Sequence, residues 1–254
     1  MNLSDVALVA CCVISSIILL VLLVRYIPQR WREGSTLKDA IDHFSALNRT
    51  LFSFILALSI VSAGTSLSKA ADQVSDEGAS LTNLYWATRP LPTDTRGSVR
   101  QLTRQYTVTV IHDEWPAMAE GKFSRRAQGQ YDALRRELQD SPSSGSQQEQ
   151  TFARDSLVAL RAVGDARRAR MLSVSQEIPS YLWIGLILSA MLLVIAAAVQ
   201  VPALTVPDIV SIGLLALLVS GVLAVLAAMN HPFGGGVHVE PDALKFALRR
   251  FSDI

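Results

Sequence analysis

The densest group of side chains that could carry chemistry is His112, Asp113 and Glu114, three potential metal ligands or acid–base groups in a row. Consecutive side chains on a helix point in different directions around its axis, so these three do not converge on one ion. The triplet therefore predicts a solvated helix surface or a local cap. The sequence contains no nucleophile elbow, zinc-binding helix motif or nucleotide-binding loop. It predicts no catalytic residue, no metal site and no cofactor, and so a protein that is not an enzyme.

A second candidate is the glycine-rich segment 232–236, which is flanked by His231 and His238. Three successive glycines resemble a phosphate-binding loop, but no Lys-Ser or Lys-Thr pair follows them. A structural turn is predicted instead, because glycine permits a tight reversal of the chain. Pro241 then begins a short amphipathic helix, which would dock on a helical bundle or lie on a membrane surface.

A third candidate is a stripe at heptad spacing that is apolar at one end and rich in hydroxyls at the other: Phe52, Ile55, Ser59, Ser62 and Ser66. Hydroxyl groups that face lipid would waste hydrogen bonds, so the stripe should face protein or water. In a pore, Phe52 and Ile55 would form a dewetting constriction. In the alternative, the small residues allow close helix packing and the serines bond to carbonyls of their own helix.

Composition indicates which elements position these residues. The chain has 254 residues, of which 50% are apolar and 18% are charged, and its mean hydropathy is +0.32. Soluble domains carry about 25% charged residues. A disordered chain, a fibrous protein and an ordinary soluble enzyme are excluded, and an integral membrane protein with one polar domain is predicted.

Four uncharged runs are long enough to cross a bilayer, at about 6–24, 51–67, 181–199 and 209–229. They predict an all-α fold with four transmembrane helices and a helical extramembrane bundle. The predicted regions are a first membrane hairpin at 1–69 with a basic loop at 25–50, a polar domain at 70–178, a second hairpin at 179–229, and the glycine turn with a terminal helix at 230–254. The runs hold no Asp, Glu, Lys, Arg or His, which disfavours a proton-coupled transporter.

Charge leaves the membrane orientation open. The first run is followed by five positive charges, which favour a cytoplasmic loop: Arg25, Arg30, Arg32, Lys38 and Arg49. The opposite side carries positive charges next to the third and fourth runs: Arg161, Arg167, Arg168, Arg170, Lys245, Arg249 and Arg250. Residues 68–179 hold 15 basic and 14 acidic residues, so no nucleic-acid partner is predicted. The two cysteines, Cys11 and Cys12, are adjacent in the first run and are predicted to be small apolar side chains.

Three groups of residues, spread in order between Gln73 and Phe251, resemble the bacterial bestrophin-like membrane family, whose name rests on a distant likeness to bestrophin channels. The residues that carry the resemblance are Glu114, Trp115 and Pro116 with Gly121; Arg167 and Arg168 within the segment 165–170; and Pro232, Phe233, Gly234 and Gly235 with Pro241. Most of these motif residues are predicted to be structural.

The resemblance implies a homo-oligomeric ion channel, a pentamer by analogy, that conducts inorganic ions across the lipid bilayer of the cell. It also implies that residues 70–178 and both termini are cytoplasmic. The sequence departs from bestrophins in that it shows no acidic cluster like their calcium clasp. The prediction of channel activity is therefore based on likeness of fold alone. The alternative is a non-conducting membrane scaffold or sensor that binds a partner through its helical domain.

Overall fold

The computed structural model describes residues 35–140, 146–201, 205–234 and 236–254. In these ranges the chain forms helices and no strands, which confirms the all-α prediction for this part. The helices are α1 (Ser35–Ala87), α2 (Thr93–Thr109), α3 (Trp115–Ala119), α4 (Arg125–Gln139), α5 (Gln147–Ser173), α6 (Ser180–Val199), α7 (Val206–Met229) and α8 (Asp242–Arg250). A π-helical turn at Val110–Glu114 joins α2 to α3.

Three helical segments of the described chain are long and apolar enough to cross a membrane: Asp39–Ala87 within α1, Ser180–Val199 and Val206–Met229. They contain the second, third and fourth predicted spans. The first predicted span, 6–24, lies outside the described residues. The structure therefore supports three of the four predicted transmembrane helices.

The chain divides into two compact units. The first, here called the apolar unit, contains the described residues up to Thr65 together with Glu177–Asn230. The second, the polar unit, contains Ser66–Gln176 and His231–Ile254. Helix α1 contributes residues to both units.

In the apolar unit, α6 and α7 pack side by side and run antiparallel. The start of α6 meets the end of α7, as Leu186 packs in one cluster with Leu226. The end of α6 meets the start of α7 through Ala198 and Ala216. Two polar contacts tie α1 to this hairpin: the Asn48 side chain donates to the carbonyl of Ser189 at 3.0 Å, and the Gln200 amide donates to Ser45 Oγ at 2.9 Å.

The core of the polar unit is built on one face of α1. Its residues recur every three or four positions, which keeps them on one side of a helix: Ala70, Val74, Glu77, Leu81 and Leu84. Helix α8 packs on the same core through Leu244, Ala247 and Phe251, and Phe251 stacks on Tyr85 with ring centroids 4.4 Å apart. Of the two predicted placements of the terminal helix, the structure shows the one docked on the bundle.

Local signals in the sequence predict that Thr93 or Asp94 caps α2, that α5 begins near Gln147, and that α5 leads into the third span. The first and the third of these predictions are wrong. Thr93 and Asp94 do not cap α2; the helix begins at Thr93 with Pro92 in the N-cap position and no side-chain cap. The last helix of the polar domain does not continue into the third span, because α5 ends at Ser173 and α6 begins only after Pro179, whose ring restricts the preceding residue to extended backbone. The start of α5 agrees with the prediction, and Ser146 and Glu149 form a capping box there.

Candidate functional site

The predicted stripe on the second span lies on the side of α1 that faces the rest of the apolar unit. Phe52 and Ile55 pack against the cluster that α6 and α7 form with Ala63, and a Cβ on Gly185 of α6 would lie 3.4 Å from the Ile55 side chain. Ser59 is fully buried, and its hydroxyl donates to the carbonyl of Ile55 at 2.8 Å. Ser62 and Ser66 are half-buried. These are the contacts that the close-packing alternative requires.

A second stripe at the same spacing lies on an exposed face of α1, about 100° around the helix axis from the first. Its members are large, apolar and exposed within the described chain: Phe44, Leu47, Leu51, Phe54, Leu58 and Val61. The same register continues with Thr65 and Ser68, which are also exposed. This face changes from apolar to hydroxyl-bearing along one continuous helix.

In the polar unit, a π-helical turn directs the first family-motif residue into the core. A proline has no N–H, and its ring would clash with the carbonyl four residues earlier in an α-helix. Ahead of Pro116 the helix widens, and the N–H of Trp115 reaches back five residues to the carbonyl of Val110. His112 and Asp113 then lie exposed, whereas Glu114 is completely buried. The prediction of a solvated triplet is wrong for Glu114.

Glu114 belongs to a buried network of four charged side chains. Its two carboxylate oxygens accept from Arg170 Nη2 at 2.6 Å and from Arg167 Nη2 at 2.7 Å. Arg170 also donates through Nε to Glu77 of α1 at 2.5 Å. All four side chains are at most 3% exposed, and two arginines balance two glutamates. The network joins α1, the π turn and α5.

Neutral side chains complete the network. The Tyr106 hydroxyl donates to Glu77 Oε1 at 2.7 Å, and Arg167 Nη1 donates to the Gln128 amide oxygen at 2.9 Å. Burial raises the pKa of Tyr106 well above its usual value, and the charge of Glu77 adds to the rise. For Arg170, burial alone would lower the pKa, but the attraction of Glu77 outweighs it and the pKa is raised. Tyr106 stays neutral and Arg170 stays charged.

This arrangement holds helices together and does not form a reaction site. Its acceptors are already occupied by internal donors, and its members are closed off from water, so no substrate reaches them. Among the described residues, no group of three His, Cys, Asp or Glu side chains could hold a metal ion. Removing one member of such a network is costly, because it leaves a buried charge without its partner.

The remaining motif residues pack around the network. Trp115 meets Phe233 edge to face, with ring centroids 5.5 Å apart, and the Arg170 guanidinium lies 5.8 Å from the Trp115 ring. Gly234 lies against α3, since a Cβ there would meet the carbonyl oxygen of Ala119 at 2.6 Å.

The glycine segment is a structural turn, because the carbonyl of the buried Pro232 accepts the N–H of Val239 at 2.8 Å and closes it. Gly235 lies outside the described residues. Pro241 is buried in the N-cap position of α8. Arg168, by contrast, is exposed and pairs with Asp165.

Sequence reasoning missed Glu77 altogether and did not connect Arg170 with Glu114. The positions of these charged residues in the helical repeat could have revealed their burial. Glu77 sits between Val74 and Leu81 on the buried face of α1, and Arg167 and Arg170 continue the buried face that Leu160 and Val163 begin on α5. Charged residues of opposite sign at core positions of two helices point to a buried pair.

The chain matches the family model of the bestrophin-like domain over residues 10–244. No curated protein and no solved structure matches it. The match covers most of the chain and includes both units, the π turn and the glycine turn. The chain therefore belongs to the bestrophin-like family.

Proposed function

We propose that the protein is an oligomeric ion channel of the cell membrane, with α1 lining the pore. The observation that carries the proposal is the continuity of α1, which runs for 53 residues from an apolar segment into the core of the polar unit. A pore that begins in the membrane and extends into a polar domain requires a helix of this kind. Membership of the bestrophin-like family supports the same function.

The proposal has two versions, which differ in the face of α1 that lines the pore. The sequence favours the face with Phe52, Ile55 and Ser59. The second candidate is the exposed face with Phe54, Leu58 and Val61, since a pore-lining side chain has to be accessible in the single chain and Phe54 is 62% exposed. In this version Phe54 and Leu58 form the dewetting constriction, and Thr65 and Ser68 line a wetter region beyond it.

Two phenylalanines on different faces of one helix provide a matched test. The purified chain is reconstituted in planar bilayers, and single-channel conductance is compared for the original protein, Phe54→Ala and Phe52→Ala. We expect the conductance to change at least about twofold in Phe54→Ala, because the constriction widens. We expect the conductance to stay unchanged in Phe52→Ala, because the Phe52 side chain packs against α6 and α7 and does not line the pore in this version.

The opposite pattern would favour the face that the sequence predicts. If no preparation conducts ions, and the protein is a monomer or dimer by size and imaging instead of a ring, the channel proposal is wrong. The alternative, a non-conducting scaffold or sensor, then takes its place.

We further propose that the polar unit and both termini are cytoplasmic. The likeness to bestrophins supports this orientation, since their helical domain extends the pore on the cytosolic side.

A further inference from the structure

We propose that a cleft between α4 and α5 of the polar unit binds a small organic anion, which carries a phosphate or carboxylate on a flat apolar body. The cleft encloses about 240 Å³. The residues on which the proposal depends are Tyr131, Arg135, Leu157, Leu160, Arg161 and Arg168. Apart from Arg168, none of them is a family-motif residue, and none is one of the four charged side chains of the buried network.

The cleft has an excess of positive charge. Three arginines line it, against one acidic residue, Asp165, and that carboxylate is already paired with Arg168. Arg135 on α4 and Arg161 on α5 form no hydrogen bond or ion pair with any residue that the structure describes. Two guanidinium groups from two helices at one cleft, without an internal partner, provide several donors for one anionic group.

The wall of the cleft is held in place before any ligand arrives. The Tyr131 hydroxyl donates to the carbonyl of Leu160 at 3.3 Å. It occupies the space that a side chain at position 164 would need, since a Cβ on Gly164 would lie 2.1 Å from it. Arg168 and Arg135 line the same cleft as Tyr131. Burial raises the pKa of Tyr131, and the positive charges of these two arginines oppose the rise. A fixed wall lowers the entropy cost of binding.

The size and lining of the cleft define the ligand class. Leu157, Leu160 and the Tyr131 ring give it apolar walls, which an inorganic anion alone would not use. Pockets for drug-sized ligands enclose about 300–1,000 Å³, so this cleft suits a ligand of about one ring. The proposal rests on the polar unit alone and does not depend on channel activity.

Phenyl phosphate is a suitable probe, because it combines one ring with one phosphate. Its binding to the full chain is measured by titration calorimetry in nanodiscs of neutral lipid. We expect saturable binding that is weakened at least about tenfold in the double variant Arg135→Gln/Arg161→Gln, since the charged donors are lost.

The matched control is Arg136→Gln/Arg154→Gln. It removes the same charge from the same two helices at exposed positions outside the cleft. We expect its affinity to stay within about twofold of the original, as for surface substitutions away from a site.

Four results would overturn the proposal. The first is the absence of saturable binding, and the second is an equal loss in both double variants, which would indicate general charge attraction. The third is equal affinity for inorganic phosphate or for benzyl alcohol, since one removes the apolar half of the ligand and the other the anionic half. The fourth is a defect of Arg135→Gln/Arg161→Gln that occurs only in binding to vesicles of anionic lipid, which would assign the arginines to the membrane surface.

Discussion

At the scale of single residues, Arg170 is the position where one substitution should cost the most stability. Arg170→Met keeps the volume but leaves Glu77 and Glu114 buried without the cation that joins them. We expect the free energy of unfolding to fall by about 3–5 kcal/mol, measured by denaturant unfolding in detergent. Arg168→Met, two residues earlier and exposed, is the control and should change it by less than about 0.5 kcal/mol. Equal effects would mean that the network does not stabilise the fold.

Tyr106 should make stability depend on pH in the alkaline range. Its pKa is raised in the folded state above the usual value of 10.0, first by burial and then by the charge of Glu77. Below the unfolded-state pKa both states bind the proton, so this contribution to stability is fully present. As the pH rises from 10.0 toward the folded-state pKa, the unfolded state releases its proton first, and the contribution is lost. We expect the unfolding midpoint to fall between about pH 9 and 11, and to fall less in Tyr106→Phe. If the unfolding midpoint falls equally with pH in the original protein and in Tyr106→Phe, Tyr106 is not the group that causes the pH dependence.

The residue scale also shows how far sequence reasoning reaches. The helical stripe of Val74, Leu81, Leu84 and Tyr85 could be predicted because apolar periodicity reports burial directly, and the structure confirms it. The burial of Glu77 could not be predicted from this stripe alone, because a charged residue is normally evidence for a solvated face unless the register of a second helix is compared with it. Only its partner from α5, 93 positions away, makes the burial possible, and periodicity within one segment carries no information about such a partner.

At the scale of elements, the start of α5 could be predicted because its signal is local. Ser146 and Glu149 lie three residues apart, and their side chains determine the start of α5. The π turn was not predictable in the same way. Pro116 indicates that the helix is disturbed, but whether it ends, kinks or widens depends on what it packs against. Here the buried arginines from α5 bind Glu114, which stabilises the widened form.

Docking of α8 on α1 depends on a glycine. A Cβ on Gly78 would lie 2.8 Å from the carbonyl oxygen of Ala243, and backbone cannot move aside as a flexible side chain can. We expect Gly78→Ala to reduce stability by about 1–3 kcal/mol and to increase hydrogen exchange in Asp242–Arg250.

Gly97→Ala is the control for this substitution. It adds the same methyl group to a helix at a place where nothing lies within 4 Å, and it should be neutral or slightly stabilising. Unchanged exchange of α8 in Gly78→Ala would show that the close contact does not hold this helix.

At the scale of the whole molecule, the two units bury their polar groups in different ways. In the apolar unit, serine and asparagine side chains bond to backbone carbonyls, as Ser59 and Asn48 do. In the polar unit, complete ion pairs are buried between Glu77, Glu114, Arg167 and Arg170. Because α1 contributes to both, a change in the position of Glu77 and a change in the stripe of Phe54 and Leu58 act on the same helix.

The side of the membrane on which the polar unit lies is the last prediction. The sequence has positive charge on both sides of the membrane spans. The positive-inside rule therefore leaves the orientation open, and the proposal of a cytoplasmic polar unit is based on the likeness to bestrophins.

We expect the family relation to decide the orientation, because the fold of a family normally keeps one orientation. Cys11 and Cys12, the two native cysteines, are replaced by alanine, and Gln148→Cys is introduced at the exposed start of α5. An impermeant maleimide should label this cysteine only after the cells are permeabilised. Asp39→Cys, exposed near the start of α1, is the matched position on the other side and should be labelled in intact cells. If intact cells label Gln148→Cys and spare Asp39→Cys, the charges of the 25–50 loop determine the topology, and the polar unit is not cytoplasmic.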